Sequence, residues 1–174
     1  MKTVLAIPGS TRMHSTHKNV IRYAASLADG KFEIDLFDGT AELPHFNPDL
    51  DGDAPPKTVI DFRRRIQNAD GVLICTPEYA MGVPGTLKNA LDWTVSSADL
   101  YRKPVALITA SSQGYKGHAA LMETLTILGS ALTEEMQMII PFIKKNVAAD
   151  GTVTDPASAE AMHRLVHALW ESLS

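Results

Sequence analysis

The chain has 174 residues, 45% hydrophobic and 21% charged, proportions of one globular domain with a substantial core that exclude a disordered or fibrous segment. A formal net charge of -4 excludes the basic face demanded by a nucleic acid or an anionic membrane surface, so any bound anion must be held by local donors. The single cysteine, Cys75, leaves no internal disulfide or cysteine-rich metal cluster and fits a reducing, cytoplasmic compartment, and the opening apolar run from Val4 to Ile7 is too short for a signal peptide or a membrane span.

Thr3 to Ile7 reads as a buried strand that stops at Pro8-Gly9. Ser10, Thr11, Arg12, Ser15 and Thr16 then crowd together before a helical pattern opens at about Val20. This is the layout of a phosphate site: helix-start N–H groups lack intrahelical partners and point one way, hydroxyls donate to phosphate oxygens, and Arg12 adds a planar, permanently charged fork. The plainer reading of the same hydroxyls is that Ser15 or Thr16 caps the helix. A P-loop would need a Gly-Lys-Ser/Thr ending and a dinucleotide fingerprint three glycines, where this turn has only Gly9. A terminal phosphate monoester fits better than a buried pyrophosphate.

The helix (Val20, Ile21, Tyr23, Ala24, Leu27, Ala28) closes at Asp29-Gly30, and Phe32 to Phe37 forms a second strand. A long connection from Gly39 to Pro56 follows, in which Leu43 to Pro48 reads as an ordered piece bordering a site and His45 as an ordinary loop histidine. Lys57 to Ala69 is helical, with Arg63-Arg64-Arg65 as a solvated edge. Gly71 to Thr76 is the third strand, in which Cys75 is a small buried hydrophobe. After the loop Pro77 to Gly82 a helix runs from Pro84 to Val95, then a strand from Pro104 to Ala110 and a helix from about His118 to Leu132. A short strand from Met136 to Pro141 precedes a closing helix from Pro156 to Leu173, with Ala161, Leu165, Ala168, Leu169 and Ser172 along one face.

Five strand-helix alternations imply an α/β domain over residues 1–174: a doubly wound, five-stranded parallel sheet of flavodoxin-like order 2-1-3-4-5 with helices on both faces. Ligands in such sheets bind beyond the carboxyl ends of the strands, which brings the loops after Ile7, Thr76 and Ala110 to one crevice. The second of these, Pro77-Glu78-Tyr79-Ala80-Met81-Gly82, is restrained by proline and opened by glycine, as suits backbone presented to a flat ligand such as a flavin.

Gly9-Ser10-Thr11-Arg12 with Ser15, Pro77-Glu78-Tyr79 with Pro84-Gly85, Leu87-Lys88-Asn89-Ala90-Leu91-Asp92-Trp93, and Ala110-Ser111 with Gly114 and Gly117 resemble the NADPH-dependent FMN reductases. That family is flavodoxin-like and includes quinone, azo-dye and chromate reductases. The resemblance spans roughly residues 3 to 172. It implies FMN as cofactor, its phosphate held by Ser10, Thr11, Arg12, Ser15, Thr16 and His17. It also implies an isoalloxazine ring against Pro77, Glu78, Tyr79, Ala80, Met81 and Gly82, with Ser111 and Gly114 beside it. NADPH or NADH is the implied electron donor, a small molecule such as a flavin or quinone the acceptor, and a homodimer or dimer of dimers the assembly. His17 and Ala80 stand where the family often has Asn; His17 can still donate to a phosphate, whereas Ala80 has no side-chain hydrogen bond to offer. No catalytic acid, base or nucleophile is implied, because the cofactor carries the chemistry. The alternatives are a one-electron carrier of the flavodoxin kind and a non-enzymatic flavin-binding module.

Overall fold

Five β-branched and aliphatic runs become strands: β1 (Lys2–Pro8), β2 (Phe32–Leu36), β3 (Gly71–Thr76), β4 (Val105–Ala110) and β5 (Gln137–Ile140). In the computed structural model, which describes residues 1–173, they form one sheet of order β2-β1-β3-β4-β5. Every pairing is parallel, with Val4 opposite both Ile34 and Gly71, and Ile108 opposite Cys75 and Met138. The expected topology is therefore present.

The helices are α1 (Thr16–Leu27), α2 (Lys57–Asn68), α3 (Gly85–Asp92), α4 (Tyr115–Ile127), α5 (Ile143–Asn146) and α6 (Pro156–Ser172). Strand alternation sorts the core into two layers. Val4, Ala6, Leu73, Cys75 and Ile108 pack with Val20 and Ile21 of α1 and Met162, Leu165 and Leu169 of α6. Leu5, Ile7, Val72, Ile74 and Leu107 pack with Phe62 and Ile66 of α2, Leu87 and Leu91 of α3, and Leu121 of α4. Each large aliphatic side chain fully buried this way stabilises the fold by about 1.5–3 kcal/mol.

Several boundaries differ from the sequence reading. Helix α1 starts at Thr16, four residues before Val20, because Ser15 caps it. Helix α4 starts at Tyr115 on a left-handed Gly114 and ends at Ile127. The buried stripe of α6 is Ser158, Met162, Leu165, Val166 and Leu169, with Ala161 and Ala168 only flanking it. The long connection is ordered by two short 3-10 turns, Thr40–Glu42 and Pro48–Leu50. It is also stapled to α3: Pro44 O accepts from Asn89 Nδ2 (2.9 Å) and Trp93 Nε1 (2.8 Å), and Phe46 stands edge-on to Trp93.

The arginine run is not uniformly a solvated edge. Arg63 donates to Trp93 O and to Asp51 (2.6 Å), and Arg65 pairs with Asp35, while only Arg64 projects outward. These partners are 12 to 30 residues away in sequence, where no local pattern reveals them. Among the described residues no helix is long and apolar enough to cross a membrane.

Candidate functional site

The reversal of strand order between β1 and β3, which run parallel, sets the position of the first loop. Gly9 N donates to Cys75 O at 2.8 Å, and a Cβ on Gly9 would fall 2.1 Å from Thr76 Oγ1, so only glycine lets the two strand ends meet. Ser15 then caps α1, its Oγ accepting from His17 N (3.2 Å).

The His17 ring turns toward β4. Nε2 lies 2.8 Å from Ala110 O, which can only accept, so the ring proton sits on Nε2 and Nδ1 is left to accept from the Ser15 hydroxyl (3.3 Å). Burial pushes the His17 pKa below its ordinary value; the Ala110 bond opposes this and the Arg12 charge adds to it. His17 is thus a neutral tie between the first loop and the end of β4. Free to meet an anion are the Arg12 guanidinium and the hydroxyls of Ser10 and Thr16. The backbone N–H groups of Ser15 and Thr16 also find no acceptor among the described residues.

The second loop is a tight hairpin. Tyr79 and Gly82 exchange backbone hydrogen bonds of 3.0 and 2.9 Å, and the two residues between them, Ala80 (φ 49°) and Met81 (φ 61°), are both left-handed. Each non-glycine residue held this way costs about 1–2 kcal/mol, strain that a surrounding structure must over-determine. The determinant is Glu78, whose carboxylate accepts from Gly117 N (2.6 Å) and Gly114 N (3.3 Å) at the start of α4, where the helix dipole favours negative charge. Gly117 has no room for a Cβ, which would stand 2.9 Å from Gly82 O.

Just below, His118 Nδ1 accepts from the Thr109 hydroxyl (2.8 Å) and Nε2 donates to Gln137 Oε1 (2.6 Å), tying α4 to β4 and β5. Burial lowers its pKa against the opposing Gln137 bond.

A fourth segment closes the site. Phe142 adopts a left-handed backbone (φ 50°), fixed by Phe142 N to Ser112 O (3.1 Å) and Ile143 N to Ser111 O (3.0 Å), and starts α5. The four segments enclose a cavity of about 650 Å³, within the range of small-molecule sites. Its wall comprises Ser10, Arg12, Ser15, Thr16 and His17, then Pro77, Glu78 and Tyr79, then Ala110, Ser111 and Ser112, and finally Phe142, Ile143, Lys144 and Lys145.

Of the residues expected at the site, Ser10, Arg12, Ser15, Thr16, His17, Pro77, Glu78, Tyr79 and Ser111 are brought together here. Thr11, Ala80, Met81, Gly82 and Gly114 lie outside the wall, the last four serving the hairpin turn and the start of α4. Leu43 to Pro48 is packed on Trp93 and does not reach the cavity. The Phe142 to Lys145 segment was not foreseen; its only sequence signal is two lysines just past a strand end.

Anion donors at one part of the wall and the backbone and the Tyr79 ring of the second loop at another are a donor set that suits a flavin mononucleotide: a phosphate monoester joined to a flat ring with a hydrogen-bonding edge. The comparisons agree. The model of the NADPH-dependent FMN reductase family matches residues 2–153. The 2-hydroxy-1,4-benzoquinone reductase of Burkholderia sp is 34% identical over 157 residues, 86% of this chain and 84% of that protein. The NAD(P)H-dependent FMN reductase of Pseudomonas aeruginosa is 29% identical over 171 residues, 95% of this chain and 92% of that protein. Among solved structures, FerB, a flavoenzyme NAD(P)H:(acceptor) oxidoreductase from Paracoccus denitrificans, superposes with a TM-score of 0.85 at 33% identity, covering 99% of this chain and 97% of its own.

Proposed function

This chain belongs to the NADPH-dependent FMN reductase family and is an FMN-dependent NAD(P)H oxidoreductase, and we propose that the four-walled cavity is its flavin site. The observation that carries the assignment is the convergence of free anion donors and a backbone-presenting hairpin on one cavity. When bound, FMN supplies the chemistry, taking a hydride from the nicotinamide and passing electrons to a second small molecule.

The residues of the chain bind and orient. Arg12, with the hydroxyls of Ser10 and Thr16 and the N–H groups opening α1, holds the phosphate monoester. Pro77 to Tyr79, the arm of the hairpin that lines the cavity, and Ser111 edge the ring, and Glu78 acts by fixing that hairpin to α4 rather than by touching the reacting atoms. Tyr79 and Phe142, 51% and 63% exposed, flank the open side, where nicotinamide and a flat acceptor such as a quinone or free flavin enter in turn.

Purified protein is expected to release FMN and not FAD on denaturation. Steady-state lines for nicotinamide oxidation at several quinone concentrations are expected to be parallel, because one face serves both substrates. Release of FAD, or intersecting lines, overturns the site.

Trp93 is fully buried and leaves nothing for a partner, but Val95 and Ile127, 59% and 87% exposed, flank an apolar groove between α3 and α4 that suits a second copy of the chain. Light scattering is expected to give a homodimer mass, and Ile127→Asp to shift it toward the monomer. A single FMN-binding domain working in the cytoplasm is consistent with one buried cysteine kept as a thiol.

A further inference from the structure

We propose that the turn after β5 is a second anion-binding edge of the flavin cavity, at which Lys144 and Lys145 bind a phosphate monoester of a reaction ligand. The proposal rests on the cavity being the flavin site and assigns a role to the segment that neither the sequence motifs nor the family match singles out.

Three of the chain's 16 lysines and arginines, Arg12, Lys144 and Lys145, line this one cavity, in a chain whose acids outnumber its bases by 20 to 16. The sole carboxylate in the wall, Glu78, already accepts from Gly114 and Gly117. Neither lysine forms an ion pair among the described residues, although acidic residues outnumber basic ones in the chain. Lysines are favoured at helix ends by the dipole, but α5 is four residues long and offers little of one.

The backbone that carries both lysines is also fixed at the rim. Lys145 N donates to Phe142 O at 2.7 Å, Asn146 Nδ2 to Pro141 O at 2.9 Å, and Ile143 N reaches across to Ser111 O. The Asp155 carboxylate feels the Lys145 charge, but it caps α6 through Ser158 and forms no ion pair with either lysine, which leaves a cationic edge on a fixed turn facing the same space as Arg12 and suited to a dianion. The reaction brings two phosphate monoesters to this space: the 5′-phosphate of FMN and the 2′-phosphate of NADPH.

The test is the double variant Lys144→Ser/Lys145→Ser beside the conservative Lys144→Arg/Lys145→Arg. One arm titrates flavin-free protein calorimetrically with FMN and with riboflavin; the other measures kcat/KM for NADPH and for NADH at saturating FMN. In the serine variant at least one phosphate-bearing ligand is expected to weaken about tenfold against its phosphate-free counterpart, which holds within about twofold. The arginine variant is expected to retain native discrimination. Loss in the flavin arm assigns the edge to FMN, and loss in the nicotinamide arm assigns it to NADPH. Unchanged discrimination in both arms, or equal loss with and without the phosphate, overturns the proposal while leaving the flavin site standing; native protein that binds no FMN overturns both.

Discussion

Arg12 offers the only permanently charged group of the first loop, and its guanidinium has no ion-pair partner among the described residues. A charge-assisted hydrogen bond contributes about 1.5–3 kcal/mol, so Arg12→Ala is expected to weaken FMN by roughly one to two decades in calorimetric titration. Riboflavin, lacking the phosphate, changes much less; equal losses would contradict the role. Ala80 makes a different point, since its strain lies in the backbone (φ 49°). Asparagine tolerates the left-handed region that alanine resists, and Ala80→Asn is expected to stabilise the protein to urea by about 0.5–1 kcal/mol. A lowered midpoint would argue against the hairpin. At this scale the hydroxyls and Arg12 were legible because their chemistry is intrinsic. The engagement of Ser15 with His17 was not, because it depends on Ala110, 93 residues further on.

The start of α4 and the second loop behave as one element. Gly117 sits where a Cβ would press on Gly82 O at 2.9 Å and Glu78 Cγ at 3.1 Å, so Gly117→Ala is expected to shift the hairpin and lower FMN affinity about tenfold. Overall stability is expected to change less, because alanine in a helix gains about 0.5–1 kcal/mol over glycine and offsets part of the clash. Native affinity in that variant would show that the contact is not needed. Elements with a clear period were readable, as β1, β3 and α2 were. The four residues of α5 were not, since one helical turn has no period to read, and its position follows from hydrogen bonds to Ser111 and Ser112. The ends of α1 and α4 moved because caps, rather than apolar spacing, decide where a helix begins.

For the whole molecule, the sheet order followed from five alternations of pattern, a property of the entire chain that no single misplaced boundary disturbs. Acid sensitivity is likewise a global quantity to which two buried histidines contribute. His17 and His118 both have pKa values held below the ordinary 6.5, so the unfolded chain binds more protons than the folded one as pH falls through 6.5. Their share of stability is complete above that value and is lost toward the lower folded pKa, at up to about 1.4 kcal/mol per pH unit for each. Urea unfolding at pH 7.5 and 5.5 is expected to show the loss, and His118→Gln to reduce it; an identical slope in that variant would exclude His118 as a source. The bonds from Gly9 to Cys75, His17 to Ala110, Glu78 to Gly117 and Ile143 to Ser111 join the loops to one another as well as to the sheet. Together they make the rim a hoop. Ordering entropy for such a hoop is lost when the chain folds, so flavin binding is expected to add little further ordering. Flavin exchange is then expected to require no refolding, and thermal shifts on adding FMN to follow mass action alone.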